Sequence, residues 1–183
     1  MTDPVMDFAA DPWDYLAASE AIDIEHPLVQ SIASELRTGD DIAYAHAAFD
    51  YVRDQVPHSM DTGDHRVPWR ASDVLGQRTG LCYAKSHAYV ALLRAGGIQA
   101  GLCYQESSGV LHGLTAALVD DRWVRLDPRG NKPGVDVEFS ASEDRLAYPG
   151  DPIYPTVYAA PPDAVLEGLK AMPEPTGLPA LRP

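Results

Sequence analysis

The chain has only two cysteines, Cys82 and Cys103, in 183 residues. That excludes a disulfide framework and leaves a Cys82–Cys103 bridge as the one pairing open. Positive charge is scarce: Lys and Arg number 14 against 27 Asp and Glu, a formal net charge of −13. An acid excess of this size argues against a nucleic-acid backbone or an anionic membrane surface as partner. It fits a solvated acidic surface and, more weakly, a neutral or cationic substrate. No apolar stretch reaches the length of a membrane span. The first residues, Met1-Thr2-Asp3-Pro4-Val5-Met6-Asp7, have neither the basic nor the apolar region of a secretory signal. Cytoplasmic location is therefore the expectation. There is no internal repeat, no CxxC or HxxxH pair of the kind that holds zinc, and no compact acidic loop of the calcium-binding type.

What is present is enough chain for one domain with a sizeable core. The stretch from Cys82 to Ala95 is apolar on almost every side, with Lys85, Ser86, His87 and Arg94 as the polar exceptions. An all-round apolar helix belongs in the middle of a domain. Gly80 frees the turn before it, and Gly96-Gly97 supply a stop. Cys82 then sits at a helix N-terminus, beside unpaired amides and the positive end of the helix dipole. Both favour the thiolate, which is the nucleophilic form. A small buried structural cysteine is the competing reading.

Before this helix, Asp11 and Pro12 predict a short helix to about Ser19. His26-Pro27 opens a second to Arg37, with Leu28, Ile32 and Leu36 inward. A third runs from Asp41 to Gln55, with Ala45, Ala48, Phe49 and Val52 inward. Val56 to Pro68 reads as a loop that carries His58 and His65 and is placed to line a cleft. Ala71-Ser72-Asp73-Val74-Leu75 reads as a short helical turn. After the cysteine helix, residues 98–105 alternate as a strand. Leu111 to Val119 and Arg122 to Asp127 read as two more, joined by Asp120-Asp121 as a tight hairpin. From about Val135 the chain turns rich in Pro and Tyr. Only 162–171 looks helical there, and the residues after Met172 are expected to carry little structure.

The hairpin gives a register. With Asp120 and Asp121 as its loop, Val119 faces Arg122, Leu118 faces Trp123 and Leu114 faces Asp127. His112 is then one diagonal step from Asp127, within reach of both side chains. His112, Leu114, Ala116, Leu118, Trp123, Arg125 and Asp127 share one face, which the apolar members suggest packs on the cysteine helix. Arg125 fits that poorly. Cys82 as nucleophile, His112 as proton carrier and Asp127 as the group that orients the imidazole supply the three roles of cysteine catalysis. A lone buried His or Asp is more often structural; three with agreeing parity favour function.

These residues resemble the transglutaminase-like superfamily of papain-like cysteine enzymes. The resemblance runs over Ala71 to Lys132: Ala71-Ser72-Asp73-Val74-Leu75, Gly80-Leu81-Cys82-Tyr83-Ala84-Lys85-Ser86-His87, Leu111-His112-Gly113-Leu114, and Trp123-Val124-Arg125-Leu126-Asp127-Pro128-Arg129-Gly130-Asn131-Lys132. It points to bacterial transglutaminase-domain proteins. It implies an α+β, papain-like fold in which the cysteine helix packs on an antiparallel sheet, and a triad on Cys82, His112 and Asp127. The expected organisation is a single domain over 1–183. Helices and a cleft loop fill 1–70, the core 71–132 and a wrapping tail 133–183.

The implied chemistry is acyl transfer or hydrolysis at an amide, peptide or isopeptide bond, through a thioester on Cys82. A peptide or small amide substrate and no cofactor are expected. Members of the superfamily include acyl transferases, proteases, amidases and inactive scaffolds, so the fold alone does not name the reaction. A non-catalytic binding module is the alternative. A metal site from Cys82, His112 and Asp127, or from His58 and His65, lacks the short spacings such sites use. For the oxyanion, the Cys82 amide is the obvious donor, with Gln77, Trp69 or His58 as candidates for a second. His58, Lys85, His87, Arg129, Asn131 and Lys132 are candidates for substrate contact. Cys103 reads as structural.

Overall fold

A computed structural model describes residues 5–182. The apolar run after Gly80 forms helix α5, Cys82–Ala95, and every residue from Cys82 to Arg94 is buried. Helices α1 (Pro27–Leu36), α2 (Asp41–Gln55) and α4 (Ala71–Gln77) pack on one side of α5, and strands β2 (Ala100–Ser107) and β3 (Val110–Val119) on the other. Strand β4 is Arg122–Leu126. The short helix α3, Ser59–Thr62, lies inside the expected cleft loop, and α6 is Asp163–Ala171. This is the α+β arrangement expected, with the cysteine helix at its centre.

Local chemistry accounts for the sheet. Asp120 and Asp121 both take left-handed φ (53° and 60°), the geometry of a two-residue hairpin whose twist matches its strands. The register is Val119↔Arg122, Leu118↔Trp123 and Thr115↔Leu126, which carries Leu114 opposite Asp127. Ser108 and Gly109, also left-handed, join β2 to β3 in the same way.

Four expectations need correction. The face of β3 that carries His112, Leu114 and Ala116 turns away from α5. Leu114, Ala116 and Trp123 instead pack with Tyr15, Cys103, Leu146 and Val157, under the N-terminal arm and the tail. Arg125, awkward against a helix, meets Asp144 on this side, its backbone N–H 3.0 Å and its guanidinium 3.4 Å from that carboxylate. The other face, with Leu111, Ala117 and Val119, meets the helices.

The first helix is only a 3-10 turn, Pro12–Leu16, because the Ala17 N–H returns to Asp14 O and the chain then extends. The inward stripe of α1 is Val29, Ile32 and Ala33. Leu28 and Leu36 flank it half-buried, and Leu28 lies over Gly76.

The tail is structured beyond Met172. Strand β6, Leu178–Pro179, pairs antiparallel with Val110 and Leu111 of β3. Leu178 N–H donates to Tyr83 Oη at 3.0 Å, and Tyr83 Oη donates to Leu111 O at 2.5 Å, so one buried phenol ties the tail to the sheet and to α5. Earlier in the tail, β5 (Thr156–Val157) pairs with β1 (Asp7–Phe8), and Tyr158 and Ile153 bridge to the free edge of β2.

Candidate functional site

The site lies in a gap in the ladder of β3. Along the edge opposite β2, β4 pairs with Thr115 to Val119 and β6 with Val110 and Leu111. Between them, the Gly113 N–H finds no strand and donates to Cys82 Sγ at 3.4 Å. The approach is close: a Cβ on Gly113 would sit 3.0 Å from Tyr83 Cα. Only glycine lets the start of α5 come this near the strand.

Cys82 is the first residue of α5. The first turn-closing bond is donated by Lys85 to Leu81 O, so the amides of Cys82, Tyr83 and Ala84 precede the helical ladder. On the adjoining strand His112 Nε2 lies 2.8 Å from Asp127 Oδ2. Asp127 is fully buried, and Ala147 N–H (2.9 Å) and Arg129 N–H (3.3 Å) also donate to it. Tyr148 stands edge-on against the imidazole, ring centres 4.9 Å apart. With Nε2 engaged by Asp127, Nδ1 is the nitrogen left for the thiol.

The electrostatics follow from these contacts. Burial pushes the Cys82 thiol up, but the charge and hydrogen bond of His112, with a smaller contribution from His58, bring it down to about 6. Burial pushes His112 down, and the negative charges of Asp127 and Cys82 outweigh that and hold it well above its ordinary value. Burial would raise Asp127; the imidazole and the two amides keep it low. These contacts favour a thiolate beside an imidazolium, backed by a carboxylate.

His58 reaches the thiol from the other side. Its backbone is tied to the approach to α5: Ser59 N–H donates to Gly80 O at 3.0 Å, and Ser59 Oγ lies 3.1 Å from Thr79 Oγ1. Its Nδ1 accepts Met60 N–H at 3.3 Å. In the neutral ring the proton is then on Nε2, and the His58 side chain hydrogen-bonds the Cys82 thiol.

A cleft of about 370 Å³ opens over Cys82 and His112. Met60, Leu81, Val110 and Leu111 give it an apolar lining, and Thr176 and Gly177 of the tail also border it. In the same lining, Arg129 holds Asp61 through both carboxylate oxygens at 2.8 Å each, and Lys132 Nζ is 3.7 Å from the same carboxylate. Arg129 holds Asp61 below the usual carboxylate range.

Cys82, His112, His58, Arg129 and Lys132 therefore meet in the cleft, with Asp127 buried behind His112, whereas Gln77, Trp69, Lys85, His87 and Asn131 do not. Gln77 and Trp69 border a separate groove with His65, Arg66 and Lys170. The left-handed Arg78 turns the chain after α4 and leaves Gln77 outside. The Trp69 ring lies under Arg70 and Lys170, 4.8 and 5.1 Å from its centre. Lys85 is buried beneath the site, donating to the carbonyls of Arg53 (3.3 Å) and Val56 at the end of α2, and burial pushes it down to about 7. His87 Nδ1 is 2.7 Å from Trp69 O, and burial pushes the ring down to about 4. Asn131 Oδ1 accepts Val137 N–H at 2.7 Å, which makes it a turn residue.

Sequence reasoning missed Gly113, Asp61, Tyr148 and the tail wall. Asp61 was visible as a carboxylate in the loop. Tyr148 and the tail lie where no periodicity points anywhere. Both cysteines are free thiols, so the bridge left open by the sequence is not formed. Among the described residues, no three His, Cys, Asp or Glu side chains are grouped to hold a metal ion, and no helix is long and apolar enough to cross a membrane.

The family model described as Transglutaminase-like superfamily matches residues 30–128, just over half of the chain. The protein belongs to the transglutaminase-like superfamily. Its match spans α2, α4, α5 and the β2–β4 sheet. A solved structure named as a provisional cysteine protease from Cytophaga hutchinsonii shares the fold at a TM-score of 0.57 and 20% identity, over 67% of this chain and 43% of that one. The periplasmic domain of TgpA from Pseudomonas aeruginosa, bound to ethylmercury, does so at 0.52 and 19%, over 66% and 50%. This superfamily member thus spans half or less of the length of each. A comparison with curated proteins returned no match.

Proposed function

We propose that the protein is a cysteine-dependent acyl transferase or hydrolase that acts on an amide, peptide or isopeptide bond. The observation that carries this reading is the convergence of the His112–Asp127 pair, 2.8 Å apart, on a thiol at the first turn of α5, with an open cleft above it. Superfamily membership and the likeness to a provisional cysteine protease support it.

In the first half-reaction Cys82 Sγ attacks the carbonyl carbon. The C–N bond breaks, and the proton on His112 Nδ1 passes to the departing amine, leaving a thioester on Cys82. In the second, water or an amine gives its proton to His112 as it attacks the thioester, releasing the acyl group as acid or new amide and restoring the thiolate–imidazolium pair. Asp127 orients the ring and stabilises its charged form. The tetrahedral oxyanion is received by the Cys82 amide and by His58 Nε2–H, the donor left free because Nδ1 accepts from Met60.

The test is intact-mass detection of an acyl adduct after mixing the chain with an activated ester. The expected result is an adduct on Cys82 that an added amine or water discharges, absent from Cys82→Ala and slowed at least tenfold in His112→Ala. An unmodified chain that never acylates Cys82 overturns the reading in favour of a binding module on the same fold.

A further inference from the structure

We infer that the acyl donor carries a carboxylate near its scissile bond, and that Lys132, seated on the Asp61–Arg129 pair, receives it. The inference rests on the proposed function and names the substrate class for that site.

The chain as a whole is acidic, yet the wall of the cleft beside His112 is not. Besides Cys82 and His112, the charged side chains that line the cleft are Asp61, Arg129 and Lys132, one anion against two cations, with His58, Tyr83 and Tyr148 as the other ionisable groups. Arg129 is buried and spends both terminal nitrogens on Asp61 at 2.8 Å. That fork–fork geometry is the strong form of the pair and engages both carboxylate oxygens. Lys132 is left with a longer, 3.7 Å contact to an oxygen that Arg129 already engages, and its side chain remains 41% exposed. The ammonium is thus anchored at the rim but only partly neutralised, which leaves it able to take a second anion.

The triad keeps its own negative charge behind the imidazole, away from the rim where Lys132 lies. The Cys82 thiolate faces the His112 imidazolium, and Asp127 lies fully buried behind the ring with its oxygens bonded to His112, Ala147 and Arg129. The apolar lining, Met60, Leu81, Val110 and Leu111, offers no competing anion. A cleft of about 370 Å³ bordered by the tail at Thr176 and Gly177 suits a short donor. Its apolar part would lie on Val110 and Leu111 and its carboxylate at Lys132, with the amide carbonyl between them over Cys82.

Two alkylating agents of nearly equal size test the charge without a known substrate. Iodoacetate is an anion and iodoacetamide is neutral; in each, Cys82 Sγ displaces iodide to form a thioether. The ratio of their second-order rates at Cys82 is measured in a Cys103→Ala background. Taking the ratio within each variant removes any general change in thiolate content. The expected result is that Lys132→Gln lowers the iodoacetate/iodoacetamide ratio by about three- to fivefold at low salt, and Lys132→Glu lowers it further. High salt should narrow the difference. Competition against iodoacetate then separates two sources of carboxylate: acetyl-glutamic acid α-amide offers one on a side chain, acetyl-alanine one at a chain end. Acetyl-glutamine α-amide serves as the neutral control. A ratio that does not move in Lys132→Glu overturns carboxylate recognition and leaves the nucleophile intact. Slow iodoacetamide labelling of the unsubstituted chain fails the nucleophile itself, and the inference falls with it.

Discussion

Cys82 and Cys103 lie on opposite sides of one strand. Gly113 of β3 donates its N–H to the first, and the next residue, Leu114, pairs with the second across the sheet. Both cysteines are buried, and burial drives both thiols upward. Cys103 stays there, pushed up to about 12 among Tyr15, Leu114, Ala116, Leu146 and Val157, with Arg125 offsetting only part of the shift. Cys82 ends at about 6, because His112 and His58 oppose the same burial with charge and hydrogen bonds. Burial alone therefore says nothing about whether a cysteine is reactive. The partners decide: an imidazole beside Cys82, an apolar cluster around Cys103.

The largest break in this contrast should come from His112→Ala. Without the imidazolium, Cys82 keeps the cost of burial and loses its main offset, so its titration should move up toward that of Cys103. Iodoacetamide labelling at pH 7 should slow on the order of a hundredfold, as the thiolate fraction falls with the rising pKa. Stopped-time alkylation read by mass spectrometry measures it.

Gly113→Ala comes next. Its methyl would meet Tyr83 Cα and Cδ1 at 3.0 Å, so the start of α5 must shift away from the strand. We expect labelling of Cys82 to fall by about tenfold and the fold to lose about 1–3 kcal/mol, from urea unfolding.

Asp127→Asn keeps an acceptor for the ring but removes the charge that helps hold His112 protonated. The Cys82 profile should move to higher pH, with labelling at pH 6 reduced by about three- to tenfold.

The smallest effect sharpens the contrast from the other side. Cys103→Ala removes a buried sulfur from an apolar cluster, costing about 1 kcal/mol on unfolding, while the pH profile of Cys82 stays where it was.

How much of this could be read from the chain depended on the range of the contacts. The helix at Cys82 and the register that carries His112 to Asp127 are written in local pattern: an apolar run bounded by glycines, and a two-residue Asp turn that fixes parity. The face that β3 shows to α5 is not local. His112, Leu114 and Ala116 look like a core face either way, and only the tail and the N-terminal arm, distant in sequence, decide what covers them. Gln77 was placed by its nearness in sequence to Cys82, and one left-handed residue, Arg78, turns it away. His58, further off in sequence, comes close because Ser59 bonds to Gly80. Thr176 and Gly177 reach the cleft only through the pairing of Leu178 with Leu111, which no periodicity announces.

The most direct measurement is the pH dependence of iodoacetamide labelling at both cysteines in one native sample, resolved by peptide mass spectrometry. The account predicts that Cys82 labelling rises to half its plateau near pH 6 while Cys103 stays protected until the chain unfolds. A Cys82 profile that rises only toward the ordinary thiol value near 9, or two cysteines that label at similar rates, would contradict it.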